Sequence, residues 1–201
     1  MIKISKFRKV RAIPNIKKPE VGLSKNCQIG KMGKTSFKSK NYQTKEVLEI
    51  VHIDLCGPIG IESYTGEKYF ILFVDDYSRM MIVMYLREKL EAFEKFKWYL
   101  AKIEKEIVKR LKCLRSDRGG EFISHEFNNF CIEEGIKRQV LAARTPEQNG
   151  IAERRNRSIM DYARTLMIEK RIAIKYWMEA ISTIVHTLNR VQLKKDSFKT
   201  P

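Results

Sequence analysis

Apolar and polar positions divide the chain into two unlike stretches, and patterned runs begin only near residue 47. Ile50-Val51-His52-Ile53-Asp54-Leu55 is a β-branched run that closes on the turn pair Gly57-Pro58, the signature of a strand and its exit. Lys68–Val74 and Met81–Leu86 read as two further strands, and the short link Asp75-Asp76-Tyr77-Ser78-Arg79 between them suits a hairpin. Phe93, Phe96, Leu100, Ile103 and Ile107 then recur every three or four positions, which predicts a helix over about 88–110. A fourth strand is expected at Leu111–Arg115, followed by a Gly119-Gly120 loop and a helix at 124–134 that Ser124 can cap. Ile136–Leu141 reads as a fifth strand, and two helices, about 150–169 and 174–190, follow it. Three strands, helix, strand, helix, strand and helices describe an α/β fold: a mixed sheet with helices packed on it.

Composition sharpens this picture. With 43% hydrophobic residues, the 201-residue chain can build a core. The longest apolar runs, Tyr69–Val74 and Met80–Leu86, fall far short of the ~20 residues a spanning helix needs, so no membrane association is expected. Cys27, Cys56, Cys113 and Cys131 have no paired spacing and suggest a reducing compartment. Charge says most: 40 Lys+Arg against 24 Asp+Glu give +16, which suits a polyanionic partner. The first 50 residues alone hold 13 basic and 3 acidic side chains, interrupted by Pro14, Pro19, Gly22, Gly30 and Gly33. Residues 1–45 therefore read as a basic, loosely ordered arm.

Three carboxylates stand out against this basic background. Asp54 lies late in the first strand, Asp117 just past the fourth, and Glu153 in or near the first turn of the helix after Thr145-Pro146-Glu147-Gln148-Asn149-Gly150. If the first and fourth strands are neighbours, both aspartates leave the sheet at one edge, where α/β folds place ligands. Glu153 follows Asp117 with 35 residues between, room for a loop, a helix and a strand that return the chain to that edge. Ionised carboxylates ~4 Å apart repel by about 4 kcal/mol per pair at an effective dielectric near 20. Such a cluster persists by protonation or by holding a cation, and hard oxygen donors favour Mg²⁺ or Mn²⁺ over zinc. Two such ions suit in-line phosphoryl displacement. Taken singly, Asp117 also fits a turn residue, and Glu153 a charge at a helix N-terminus.

The local strings add a resemblance. His52-Ile53-Asp54-Leu55-Cys56-Gly57-Pro58 and Phe73-Val74-Asp75-Asp76-Tyr77-Ser78-Arg79 resemble the opening of a copia-type retrotransposon integrase core. Leu114-Arg115-Ser116-Asp117-Arg118-Gly119-Gly120-Glu121-Phe122 and Thr145-Pro146-Glu147-Gln148-Asn149-Gly150-Ile151-Ala152-Glu153-Arg154-Arg155-Asn156-Arg157 continue it, so that it covers about residues 46–190. The resemblance implies a ribonuclease-H-like, mixed five-stranded sheet with flanking helices. It further implies two Mg²⁺ or Mn²⁺ ions on a D-D-35-E triad of Asp54, Asp117 and Glu153, and DNA strand transfer as the reaction. Double-stranded DNA would be the partner and the full-length protein a homo-oligomer, acting in the nucleus after release from a polyprotein carried in cytoplasmic particles. Two positions depart from the family pattern: Arg118, where Asn is common, and Arg144, where an aromatic or His is more usual. Upstream, Ser24–Lys31 resembles the end of the family's His-His-Cys-Cys zinc module, but Ser24 replaces a cysteine and no histidine precedes His52. Cys27 alone cannot complete a four-ligand zinc site, so no zinc is expected. The last residues, 191–201, read as the start of a C-terminal extension, and the sequence as part of a longer Pol polyprotein.

Around the triad, Gln148 and Asn149 are candidate DNA contacts, and Arg154, Arg155 and Arg157 form a positive cluster suited to phosphates. His52 reads as a hydrogen-bonded structural residue, Asp75 and Asp76 as turn formers, Glu121 as a support or a solvated acid. Phe93, Phe96 and Leu100 read as core, as does Trp177, which would also suit a subunit contact. Two rival functions remain at this point. One is a catalytically silent, nucleic-acid-binding transposon relic; the other is an RNase-H-like nuclease drawing a further acid from Glu88, Glu91 or Glu94.

Overall fold

The computed structural model describes residues 44–140, 146–191 and 201. The basic arm, with Cys27 and the zinc-module remnant, lies outside the described residues, as do Arg144 and nearly all of 191–201.

Strands β1 (Val51–Cys56), β2 (Tyr69–Asp75) and β3 (Met81–Leu86) form an antiparallel meander. The hairpin between β2 and β3 is closed by Asp75, whose carboxylate accepts from the Ser78 backbone N–H at 2.7 Å and the Ser78 hydroxyl at 2.8 Å. That is the turn role its sequence suggests. After helix α1 (Ala92–Ile107), strand β4 (Cys113–Ser116) returns to the other side of β1 and pairs with it in parallel. Helix α2 (His125–Glu133) follows, capped by the Ser124 hydroxyl, which accepts from the Phe127 N–H at 3.2 Å. Strand β5 (Lys137–Val140) then adds in parallel to β4, giving a five-stranded sheet of order β3-β2-β1-β4-β5. Helices α3 (Pro146–Glu169) and α4 (Trp177–Leu188) complete the fold.

Alternation along the strands sorts the core into two layers. Val51, Ile53, Ile71, Phe73 and Leu114 face α1 and α2, where Phe96 stacks on Phe127 with ring centroids 5.0 Å apart. Phe93, Phe96 and Leu100 belong to this layer, as their spacing predicts. Phe70, Leu72 and Val74 face α3 and α4 on the opposite side, packing with Ile159, Ala163 and Trp177. Trp177 is 2% exposed and donates its indole N–H to the Ile61 carbonyl at 3.1 Å, so it is a core residue. His52, Asp54 and Cys56 point to the α3 side, because they alternate with Val51, Ile53 and Leu55.

Helix α1 is shorter than the expected 88–110, opening on a single 3-10 turn at Lys89–Glu91 and ending at a left-handed Val108. Strand β4 starts two residues later than Leu111. The boundary that bears on the site is that of α3. The sequence suggests a loop through Gly150, whereas α3 already begins at Pro146. Proline suits the first helical position, where its missing N–H is not needed and its φ is preset. Gln148 and Asn149 are therefore in the first turn of α3 and not in a loop, and Glu153 is two turns in. Gly150 is buried within the helix, and the Arg154 guanidinium lies 2.5 Å from where a Cβ would stand.

Candidate active site

Asp54 and Asp117 come from neighbouring parallel strands. Val51 faces Leu114 and His52 faces Arg115, an offset of 63 positions, and the same offset separates Asp54 from Asp117. The backbone ladder thus brings both acids out at the same level on the same edge. Asp117 is half-buried just beyond β4, its Oδ1 accepting from the Gly119 N–H at 3.0 Å in a tight local turn. Glu153 arrives from the helix laid across this face and is exposed.

Electrostatics couple the three. Burial pushes the Asp54 carboxyl up to about 7 from its ordinary 3.8, and repulsion from Asp117 and Glu153 adds to the rise. A hydrogen bond from Asn156 and one from the Leu55 backbone oppose it by favouring the ionised form. Asp54 therefore titrates near neutrality. The acids are within electrostatic range of one another without being drawn tight: among the described residues, no group of three His, Cys, Asp or Glu is arranged to hold a metal ion. Like charges resist closer approach. The donor set itself, three carboxylates of which buried Asp54 is pushed up to about 7, suits a hard divalent cation.

Asn156 is the site residue that the sequence pattern hides. Its Nδ2 donates to Asp54 Oδ2 at 2.7 Å, and the residue is only 6% exposed, with its Oδ1 buried and unpartnered. In the sequence it sits among three arginines and looks like surface; its spacing of three from Glu153, one helical turn, is the signal that was there to find.

His52 shares the strand face with Asp54 but serves a different network. It is 0% exposed, its Nε2 lies 3.1 Å from Asp76 Oδ1, and burial holds its pKa below the ordinary 6.5. Asp76 also accepts from Arg79 at 2.9 Å and from the Thr44 hydroxyl at 2.9 Å. Burial alone would raise the Asp76 carboxyl, but these partners hold it at about 2. The histidine is thus structural, as its position suggests, and Asp76 does more than shape a turn. Arg154 and Arg157 are exposed on α3, whereas Arg155 is half-buried with its charge disfavoured by burial and by Arg79. Glu121 is half-buried, its carboxylate folded over Gly119. Glu88, Glu91 and Glu94 lie beyond β3, two strands from β1; Glu91 caps the Arg87 and Glu88 N–H groups, and Glu94 pairs with Lys97.

The integrase core domain family (rve) matches residues 45–146, half of the chain. This chain belongs to the integrase core family. It is 37% identical over 175 residues to the retrovirus-related Pol polyprotein of transposon TNT 1-94 from Nicotiana tabacum, which aligns with 87% of this chain and 13% of that protein. It is 29% identical over 168 residues to the Pol polyprotein of transposon RE2 from Arabidopsis thaliana, covering 83% of this chain and 11% of that protein. These relatives make it an integrase core of the LTR-retrotransposon type, spanning only a small part of their length. Its fold is that of retroviral integrase cores. The simian T-cell lymphotropic virus intasome, solved in complex with the PP2A regulatory subunit B56 gamma, superposes with a TM-score of 0.65 at 16% identity, over 88% of this chain and 61% of that one. The HTLV-2 integrase catalytic core domain in complex with magnesium gives 0.54 at 21% identity, over 76% of this chain and 92% of that one. The mixed five-stranded sheet with helices on both faces is accordingly the ribonuclease-H-like fold. Among the described residues, no helix of this integrase core is long and apolar enough to cross a membrane.

Proposed function

We propose that this integrase core joins DNA strands by divalent-metal-dependent strand transfer, with Asp54, Asp117 and Glu153 as the metal-holding acids. The observation that carries this reading is the Asp54 carboxyl, held up to about 7 by burial and by the two other acids. A largely buried carboxylate whose ionisation is opposed by two further acids is a site for positive charge. Magnesium in the HTLV-2 neighbour supports the choice of Mg²⁺, with Mn²⁺ as the equivalent hard ion.

Two such ions, when bound, supply Lewis acidity to both the entering and the leaving oxygen of an in-line displacement at phosphorus. The chain's own residues do the rest. Asp54 and Asp117 present oxygens from neighbouring strands, and Glu153 adds a third from α3. Asn156 holds the Asp54 carboxylate by one oxygen and favours its ionised form, the form that would bind a cation. Arg154 and Arg157, exposed beside Glu153, meet backbone phosphates, and Gln148 and Asn149 in the first turn of α3 contact the same DNA. A DNA 3′-oxygen attacks, the bond from phosphorus to the old 3′-oxygen breaks, and no protein side chain is modified. Double-stranded DNA is the partner, self-assembly brings two DNA ends together, and the reaction on chromosomal DNA belongs in the nucleus.

The rival reading, a nucleic-acid-binding protein without catalysis, draws on the spacing of the three acids, which are not arranged to hold a metal ion. Strand-transfer assays with matched linear ends in Mg²⁺, Mn²⁺ and EDTA separate the two. Glu153→Gln is expected to abolish joining and to leave DNA binding intact, while Glu147→Gln, six residues upstream on the same helix, retains joining. Equal effects of the two substitutions would overturn the triad and favour the binding-only protein.

A further inference from the structure

Strand β5 reads Lys137-Arg138-Gln139-Val140, and its second residue is turned to the α2 side of the sheet, where the guanidinium carbon lies 4.4 Å from the Phe127 ring centroid. An arginine is an expensive choice there. It is half-buried, its Nε is buried without a partner, and its bonds run to neutral acceptors only. Cation–π contact offsets part of that cost, yet an aliphatic side chain on Phe127 would avoid it.

The bonds that Arg138 makes show what it supplies. Its Nη2 donates to the Ser116 hydroxyl at 3.1 Å and to the Phe122 carbonyl at 2.8 Å. Ser116, fully buried, in turn donates that hydroxyl's proton to the Asp117 carbonyl at 3.0 Å. Within the loop, Asp117 Oδ1 accepts from the Gly119 N–H, and the Gly119 carbonyl accepts from the Phe122 N–H at 2.9 Å. One guanidinium nitrogen thus holds both ends of the segment that carries Asp117, and a two-bond relay runs from it to the backbone of the acid itself. Ser116 is also tied to β5 by the strand ladder, but among the described residues the other polar links of Asp117, Gly119 and Phe122 within the loop are local and would move with it.

We infer that Arg138 is a positioning residue for Asp117, fixing the 116–122 loop through the Ser116 hydroxyl and the Phe122 carbonyl. This rests on the proposed metal-holding role of Asp117; the loop-fixing itself does not. Arginine suits the place because its planar guanidinium, stacked on Phe127, fixes the directions of the two N–H donors on Nη2, whereas a lysine ammonium is a freely turning point charge on a flexible stem.

The test uses the full 201-residue chain with Mg²⁺ alone as probe, at pH 8. The Mg²⁺ concentration for half-maximal thermal stabilisation is read relative to each variant's own metal-free melting temperature. Arg138→Lys and Ser116→Ala should each raise it about fivefold, the scale of one hydrogen bond. The double variant should raise it no further, because the two act as one relay. Ser116→Thr, which keeps the hydroxyl, should match the parent. Amide exchange at Gly119 and Gly120 should speed up in Arg138→Lys while the β1 amides stay protected. Unchanged midpoints together with unchanged loop exchange, or a multiplicative double variant, would overturn the inference. If Arg138→Lys does not fold, the Ser116→Ala and Ser116→Thr pair decides alone. Asp117→Asn separates the two readings: if it leaves the Mg²⁺ response unaltered, the metal role of Asp117 fails, and loop exchange still reports on Arg138.

Discussion

Asn156 and Asp54, 102 positions apart in the sequence, are joined by a 2.7 Å hydrogen bond from the amide to one carboxylate oxygen. The bond favours the ionised acid against burial and against two neighbouring acids that favour the protonated one. Asn156→Leu removes the donor at similar volume, so the Asp54 pKa should rise above its value of about 7, by about one unit. Carboxyl carbon NMR across a pH series reads this directly. A pKa that stays put would mean the amide contributes packing only.

The raised pKa has a stability consequence whose sign can be worked out. The folded state holds the Asp54 proton up to about pH 7, whereas the unfolded chain releases it near 3.8. Folding stability contributed by this group therefore falls as pH rises through that window. Asp54→Asn should stabilise the metal-free protein at pH 8 by roughly 2 kcal/mol and leave it nearly unchanged below pH 4. Paired urea titrations at the two pH values check it.

Asp76 behaves in the opposite sense. Its carboxyl is held at about 2, so its contribution is present above its ordinary 3.8 and fades as pH falls toward 2. Asp76→Asn should cost about 2 kcal/mol at pH 7, with the deficit shrinking as the solution is acidified below pH 4. A deficit independent of pH would show that the carboxylate charge is not what matters to His52 and Arg79.

Much of this was readable from one sequence, for a physical reason: strands and helices that bury one face must repeat at period two or 3.6. The alternation of Val51, Ile53 and Leu55, and the Phe93–Phe96–Leu100 stripe, declare which side packs, and the structure agrees. Pro146 and Gly150 hid the start of α3, because both residues interrupt most helices and only the first helical position makes Pro146 welcome. Asn156 and Arg138 were hidden differently. Their partners lie 102 and 22 positions away, and no local period encodes which polar side chain is turned inward.

The basic arm supplies a test at the level of the whole chain. Residues 1–45 carry all 13 basic side chains of the first fifty residues, and each phosphate they neutralise releases condensed counterion. Deleting them should flatten the plot of log DNA affinity against log salt, and added zinc should change neither slope. An unaltered slope would place the DNA contacts wholly on the core.

The pairing of β1 with β4 separates two kinds of distance. The gap between Asp54 and Asp117 is set by backbone hydrogen bonds between adjacent strands, so the 57–68 link, the β2–β3 hairpin and α1 can all change length without moving one acid relative to the other. Glu153 is held differently, by the phase of a helix, where a single inserted residue between it and Asn156 would swing it about 100° around the axis. Evolution can thus lengthen loops freely on one side of Asp117 but must keep turn-by-turn register within α3. The interval that would matter to the proposed chemistry is the three-position step from Glu153 to Asn156, more than the thirty-five residues that precede it.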